Sequence, residues 1–209
     1  MNLAAFLEFF DILGTAAFAV SGATVALQKR FDLFGVLFLS SITVIGGGMI
    51  RDIILGNTPP AALMYPRNLT VALVAGVAVF LWGGRYAKRG ATVIVYSDAL
   101  GLGAFTALGA SMACGLPEHN VFLAAMTGML TGVGGGMLRD VLAGEIPFVL
   151  RKEVYATASI IGAVAYYLTH ARLGEIAAGY VCFFLTTGIR IFAVRLRLNM
   201  PRASLRKGR

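Results

Sequence analysis

Gly46-Gly47-Gly48-Met49-Ile50-Arg51-Asp52 returns 88 positions later as Gly134-Gly135-Gly136-Met137-Leu138-Arg139-Asp140. Both blocks lie inside long apolar runs. Each glycine there weakens a helix by about 1 kcal/mol relative to alanine, and an arginine–aspartate pair in such surroundings is expensive. A costly block present twice implies internal symmetry, with the chemistry of the chain concentrated where the symmetric elements carry it.

The surroundings of the two blocks set the class. Of 209 residues, 58% are hydrophobic and only 13% charged, with a mean hydropathy of +0.80. A soluble domain carries about 25% charged residues, and stretches of about 20 apolar residues are long enough to cross a bilayer. The chain reads as an all-α polytopic membrane protein. Its opening, Met1-Asn2-Leu3-Ala4, lacks a basic segment, so the first apolar stretch reads as a retained helix rather than a cleaved signal. The net charge of +8 gathers at predicted helix ends and in the tail from Arg195 to Arg209. That is the placement of topological charge, not of a nucleic-acid surface, and it also suits the anionic headgroups of membrane lipids. Cys114, Cys182, His119 and His170 make no metal-ligand pattern, and there is no Ser-His-Asp set or phosphate loop. The expectation is a protein that is not an enzyme and needs no cofactor.

Apolar runs predict seven spans, near 8–27, 33–57, 69–86, 97–115, 120–146, 153–170 and 174–195. They form a single transmembrane domain over residues 1–209: one repeat of about 8–86, a second of about 97–170, a seventh helix at about 174–195 and a basic tail at 196–209. Gly14, Phe18, Gly22 and Ala23 answer Gly101, Phe105, Gly109 and Ala110, while Ala72 and Gly76 answer Ala158 and Gly162. Three spans is an odd number, so the second copy enters from the opposite side: an inverted 3+3 repeat with the seventh helix unpaired. Lys29, Arg30, Arg85, Lys88, Arg89, Arg151, Lys152 and the tail share one side, which predicts a cytoplasmic C-terminus and an external N-terminus.

The triplets fall near the bilayer centre, where non-helical backbone is tolerated only against protein or a water-filled cavity. They predict a break in the second and fifth spans that lines a path; the alternative is close helix packing through small residues. Arg51 and Arg139 either mark the path or hold the repeats together through aspartates. Neighbouring residues do not face each other on a helix, so partners across the repeats are expected rather than Asp52 for Arg51 or Asp140 for Arg139. Asp11 and Asp98 open the first and fourth spans, as helix caps or as carboxylates at the two mouths. Charge leaves the solute open. Two arginines and two helix N-termini at the midplane favour an anion or a carboxylate, whereas freed glycine carbonyls with Asp52 or Asp140 favour a cation.

With these features the chain resembles the trimeric intracellular cation (TRIC) channel family, as a prokaryotic member, over nearly its whole length. The specific marks are Gly46, Gly47 and Gly48 with Arg51 and Asp52, Gly134, Gly135 and Gly136 with Arg139 and Asp140, and Phe18-Ala19-Val20-Ser21-Gly22 in the first helix. In the fourth span Leu108 stands where a second serine would answer Ser21. The resemblance implies a homotrimer with a pore in each subunit, lined by the kinked second and fifth helices and passing potassium and other monovalent cations. Carried over by motif, the two triplets with Arg51 and Arg139 are its pore-lining residues. Some bacterial proteins with this repeat are described as glycine transporters, so a transporter of glycine or another small amino acid is the second reading.

Overall fold

The computed structural model describes residues 2–83, 89–151 and 154–196. Arg85, Lys88, Lys152 and the basic tail beyond Leu196 lie outside that set. The described residues form nine helices and no strand: α1 (Leu3–Gln28), α2 (Leu33–Ile54), α3 (Ala61–Met64), α4 (Arg67–Trp82), α5 (Gly90–Cys114), α6 (Val121–Leu142), α7 (Phe148–Arg151), α8 (Ala156–Leu173) and α9 (Glu175–Arg195). Of these, α1, α2, α5, α6 and α9 are long and apolar enough to cross a membrane. The protein is therefore an all-helical, multi-pass membrane protein.

Short polar side chains start three of the long helices by accepting an otherwise orphaned N–H. Asn2 Oδ1 accepts from the Ala5 amide at 2.8 Å, Asp32 Oδ1 from Gly35 at 2.8 Å and Asn120 Oδ1 from Leu123 at 2.9 Å. α1, on its Asn2 cap, and α5, which has no side-chain cap, both begin earlier than the apolar runs suggest. Asp11 and Asp98, expected as possible caps, are interior residues of their helices, because the helical stretch continues N-terminal to both.

α2 and α6 end alike. Past each helix a glycine adopts positive φ, Gly56 at 73° and Gly144 at 70°. The Asn57 and Glu145 amides then reach back to the Asp52 and Asp140 carbonyls, both at 2.8 Å. This is the Schellman closure, which favours glycine because a left-handed residue with a Cβ is strained.

The long helices run back and forth between two ends. At one end Lys29 Nζ meets Glu145 Oε1 at 2.5 Å, and Arg195 Nε donates to the Tyr96 hydroxyl at 3.3 Å. At the other, Arg67 pairs with Glu8 and Asp11, and the rings of His119, Tyr167 and His170 adjoin. α1 and α5 cross at the centre, with the Phe18 and Phe105 rings 5.2 Å apart. A Cβ on Gly101 would enter the Phe18 ring, and one on Gly14 would press the Phe105 ring at 3.0 Å, so each helix needs its glycine to admit the other's phenylalanine.

The expected breaks at the triplets do not occur: α2 and α6 are helical through Gly46–Gly48 and Gly134–Gly136. The triplets are where these two helices cross. A Cβ on Gly47 would overlap the Thr131 carbonyl oxygen, and one on Gly135 the Thr43 carbonyl oxygen, in reciprocal fashion. Glycine's weak helix propensity is outweighed because a helix in apolar surroundings cannot give up backbone hydrogen bonds to water, while the missing side chains allow close approach. With unbroken helices there are no helix N-termini at the crossing, so that part of the argument for an anion lapses, while Arg51 and Asp52 remain.

Candidate functional site

Beyond the crossing, the two arginine–aspartate blocks build the same local device. Asp52 Oδ1 accepts from Arg51 Nε at 2.9 Å while its Oδ2 accepts from the Ala61 amide, the first of α3, at 2.9 Å. Asp140 does the same with Arg139 Nε and the Phe148 amide, the first of α7, both at 2.9 Å. Each aspartate thus ties a long helix to the short one that follows it. The expectation that neighbouring residues would not pair is overturned, because the long arginine side chain curls back to place Nε and Nη2 on the adjacent carboxylate.

From there the two halves diverge. Arg139 is fully buried, and its Nη1 donates to Asp98 Oδ1 at 2.6 Å and to Ser21 Oγ at 2.5 Å. Its guanidinium also lies over the Phe148 ring, 5.3 Å from the centroid. Beside it Arg190 of α9, also buried, lies over the Tyr155 ring at 4.9 Å. These side chains fill one half of the molecule with a plug. The cross-repeat partner expected for an arginine appears here, as Ser21, while Asp98 comes from the same repeat as Arg139.

In the other half the corresponding space is open. A cavity of about 580 Å³ runs from Glu8, Asp11 and Arg67 at its mouth to Gly48, Arg51 and Asp52 at its floor, with Phe105 and Leu108 on one wall. Among the described residues Arg51 has no carboxylate partner but Asp52. Asp11, the counterpart of Asp98, is engaged instead by Arg67 Nη2 at 2.5 Å and by Asn68 Nδ2 at 3.0 Å. The glycines report the same contrast. A Cβ on Gly48 would meet nothing nearer than Arg51 Nη2 at 3.7 Å, whereas one on Gly136 would press the Tyr155 hydroxyl at 2.8 Å.

The structure therefore separates the sequence candidates. Gly48, Arg51, Asp52 and Asp11 border the cavity; Asp98, Arg139, Asp140 and Gly136 belong to the plug; Gly46, Gly47, Gly134 and Gly135 lie at the crossing between them. Arg190, Tyr155, Arg67 and Asn68 were not among the site residues expected from the sequence. Arg190 was discoverable, since a charge inside an apolar segment is a functional signal by itself, but it has no repeat partner. Among the described residues no group of three or more His, Cys, Asp or Glu is placed to hold a metal ion.

Comparison with known proteins gives the family of the chain. The glycine transporter family model matches twice, over residues 8–83 and 95–171. A membrane protein of Vibrio cholerae, named UPF0126, is 39% identical over 96% of this chain and 84% of its own length. The UPF0126 inner membrane protein YadS of Escherichia coli K12 is 39% identical over 94% of this chain and 96% of its own. Among solved structures, one described as showing the basis for conductance through TRIC cation channels superposes with a TM-score of 0.87. It is 39% identical, covering 96% of this chain and 98% of that one. A prokaryotic TRIC channel crystallised in 0.5 M KCl gives 0.88 at 36% identity, covering 95% of this chain and 100% of that one. The TRIC orthologue from Rhodobacter sphaeroides gives 0.86 at 32% identity, over 92% and 98%. These solved proteins are channels, not enzymes. A fold shared along nearly the whole chain, with the family's twofold match in sequence, makes this protein a prokaryotic-type member of the TRIC family.

Proposed function

We propose that the protein is a monovalent cation channel, passing potassium, with a permeation path inside each chain. The path enters the open cavity, passes the α2–α6 crossing and is interrupted by the Arg139 plug. The single observation that carries this reading is the cavity ending at Arg51 in one half while the same elements are packed shut in the other. Three carboxylates (Glu8, Asp11 and Asp52) face two guanidiniums (Arg51 and Arg67) around that cavity, leaving one negative charge. A cavity with low-dielectric walls focuses such a charge and concentrates counter-ions. The solved relatives being cation channels supports the same choice. The same proposal includes the finer assignments: seven helices cross the membrane as an inverted 3+3 repeat plus α9, the charge of the loops puts the N-terminus outside and the C-terminus in the cytoplasm, and the likeness to TRIC channels supports a homotrimer within its lipids.

The description of the family favours a second reading, transport of glycine or a similar zwitterion, for which Arg51 and the mouth carboxylates would receive opposite ends of the solute. Flux from proteoliposomes separates the two. A channel releases potassium and sodium without saturation in the millimolar range and leaves glycine inside. Saturable glycine uptake with no potassium release would replace the proposal by the second reading.

A further inference from the structure

We infer that Ser21 and Leu108, a mismatched polar position between the paired first helices of the repeats, decide which end of the path is plugged. This rests on the path proposed above. The correspondence is structural as well as sequential. Gly22, beside Ser21, faces the Thr43 hydroxyl and the Leu39 carbonyl, while Gly109, beside Leu108, faces the Thr131 hydroxyl and the Thr127 carbonyl. Ser21 and Leu108 therefore occupy equivalent places, each toward the arginine of the opposite repeat.

At the plugged end Ser21 supplies the second acceptor for Arg139 Nη1, beside Asp98. Symmetry would give Arg51 the same two partners, Leu108 and Asp11. Leucine has no acceptor, and Asp11 is drawn away by Arg67 and Asn68. The residue that answers Asn68 at the spacing of the third helices is Val154, which has no side-chain donor to draw Asp98 from Arg139. Arg51 is consequently left at the cavity floor with its side chain 12% exposed, against 0% for Arg139. Ser21 and Leu108 are positioning residues: the first holds Arg139 across the path, and the second denies Arg51 the equivalent hold.

The test moves the hydroxyl from one end to the other. Cys114 and Cys182 are replaced by alanine and Gly48→Cys is added as a reporter, since Gly48 has room for a side chain. Labelling by a charged, membrane-impermeant thiol reagent then reads the openness of the cavity. Leu108→Ser should slow labelling roughly tenfold, the population change expected for a hydrogen bond to a charged group, and Leu108→Ala, which removes the same packing without adding a hydroxyl, should not. Leu108→Thr keeps more volume and replaces the serine variant if that one does not yield a folded protein. At the other end, Ser21→Ala should raise potassium flux severalfold, and Ser21→Thr should restore the wild-type value. Equal labelling in the hydroxyl and alanine variants, or a Ser21→Ala flux equal to wild type in a conducting protein, overturns the inference. A wild-type protein that passes no potassium, yet shows slowed labelling in Leu108→Ser, overturns the channel reading and leaves the inference standing.

Discussion

Replacing Gly47 by alanine places a methyl group where α2 and α6 touch. Besides overlapping the Thr131 carbonyl oxygen, its Cβ would stand 3.1 Å from the Thr131 carbonyl carbon and 3.3 Å from the Gly135 nitrogen. Carbon atoms in favourable contact lie about 3.5–4.0 Å apart. All three neighbours are backbone, so no rotamer change relieves them and the helices must separate. Overpacking of this kind costs about 1–3 kcal/mol, and rigid neighbours put Gly47→Ala at or above the top of that range. The gain in helix propensity offsets about 1 kcal/mol, leaving a net loss of about 2 kcal/mol. Gly48→Ala, one residue on, meets nothing closer than 3.7 Å and should stabilise by about 0.4–1 kcal/mol. At about 2–4 °C per kcal/mol for a chain of this size, the two variants should differ in Tm by about 5–12 °C. Thermal unfolding in detergent, followed by tryptophan-independent dye binding and by loss of the size-exclusion peak, reads this directly. Equal melting of Gly47→Ala and Gly48→Ala would refute the crossing as the place where glycine is required.

Three further outcomes follow from the same contacts. Arg139→Ala leaves Asp98 and Asp140 buried without their cation, a loss of about 3–5 kcal/mol, whereas Arg51→Ala at the open cavity should cost about 1 kcal/mol; paired melting curves check the contrast, and flux per folded molecule checks that Arg51 also lines the path. Glu8→Gln removes charge from the exposed mouth, so it should lower potassium flux about twofold at low ionic strength and not at 1 M salt, where the screening length is about 3 Å. Lys29→Ala breaks an exposed ion pair, worth about 0–1 kcal/mol, and its Tm should stay within 2–4 °C of the wild type.

The membrane class was legible in the sequence because apolar length does not depend on tertiary contacts, and the duplicated Gly-Gly-Gly-Met-x-Arg-Asp block drew attention to Arg51, Asp52, Arg139 and Asp140, which lie at the cavity and in the buried cluster. Three features were not. The triplets read as breaks because glycine is weak in isolated helices, but water is the competitor that makes it weak, and a buried crossing excludes water. Arg51 and Arg139 were expected to look past their neighbours, yet a side chain with three methylenes can fold back along its own helix. The inequality of the two halves was present as Ser21 against Leu108 and as Asn68 against Val154. It acquires meaning only when Arg139 is seen between Ser21 and Asp98, and Asp11 between Arg67 and Asn68. Arg190 lay in plain view within an apolar helix, but reasoning by symmetry passes over an unpaired element.

The reversal potential of the purified protein in a planar bilayer, under a tenfold gradient of potassium chloride, tests the central claim most directly. A cation path predicts discrete current steps that reverse near the potassium equilibrium potential, about 59 mV from zero. Reversal at zero, reversal toward the chloride potential, or an absence of steps from protein that takes up glycine would contradict it.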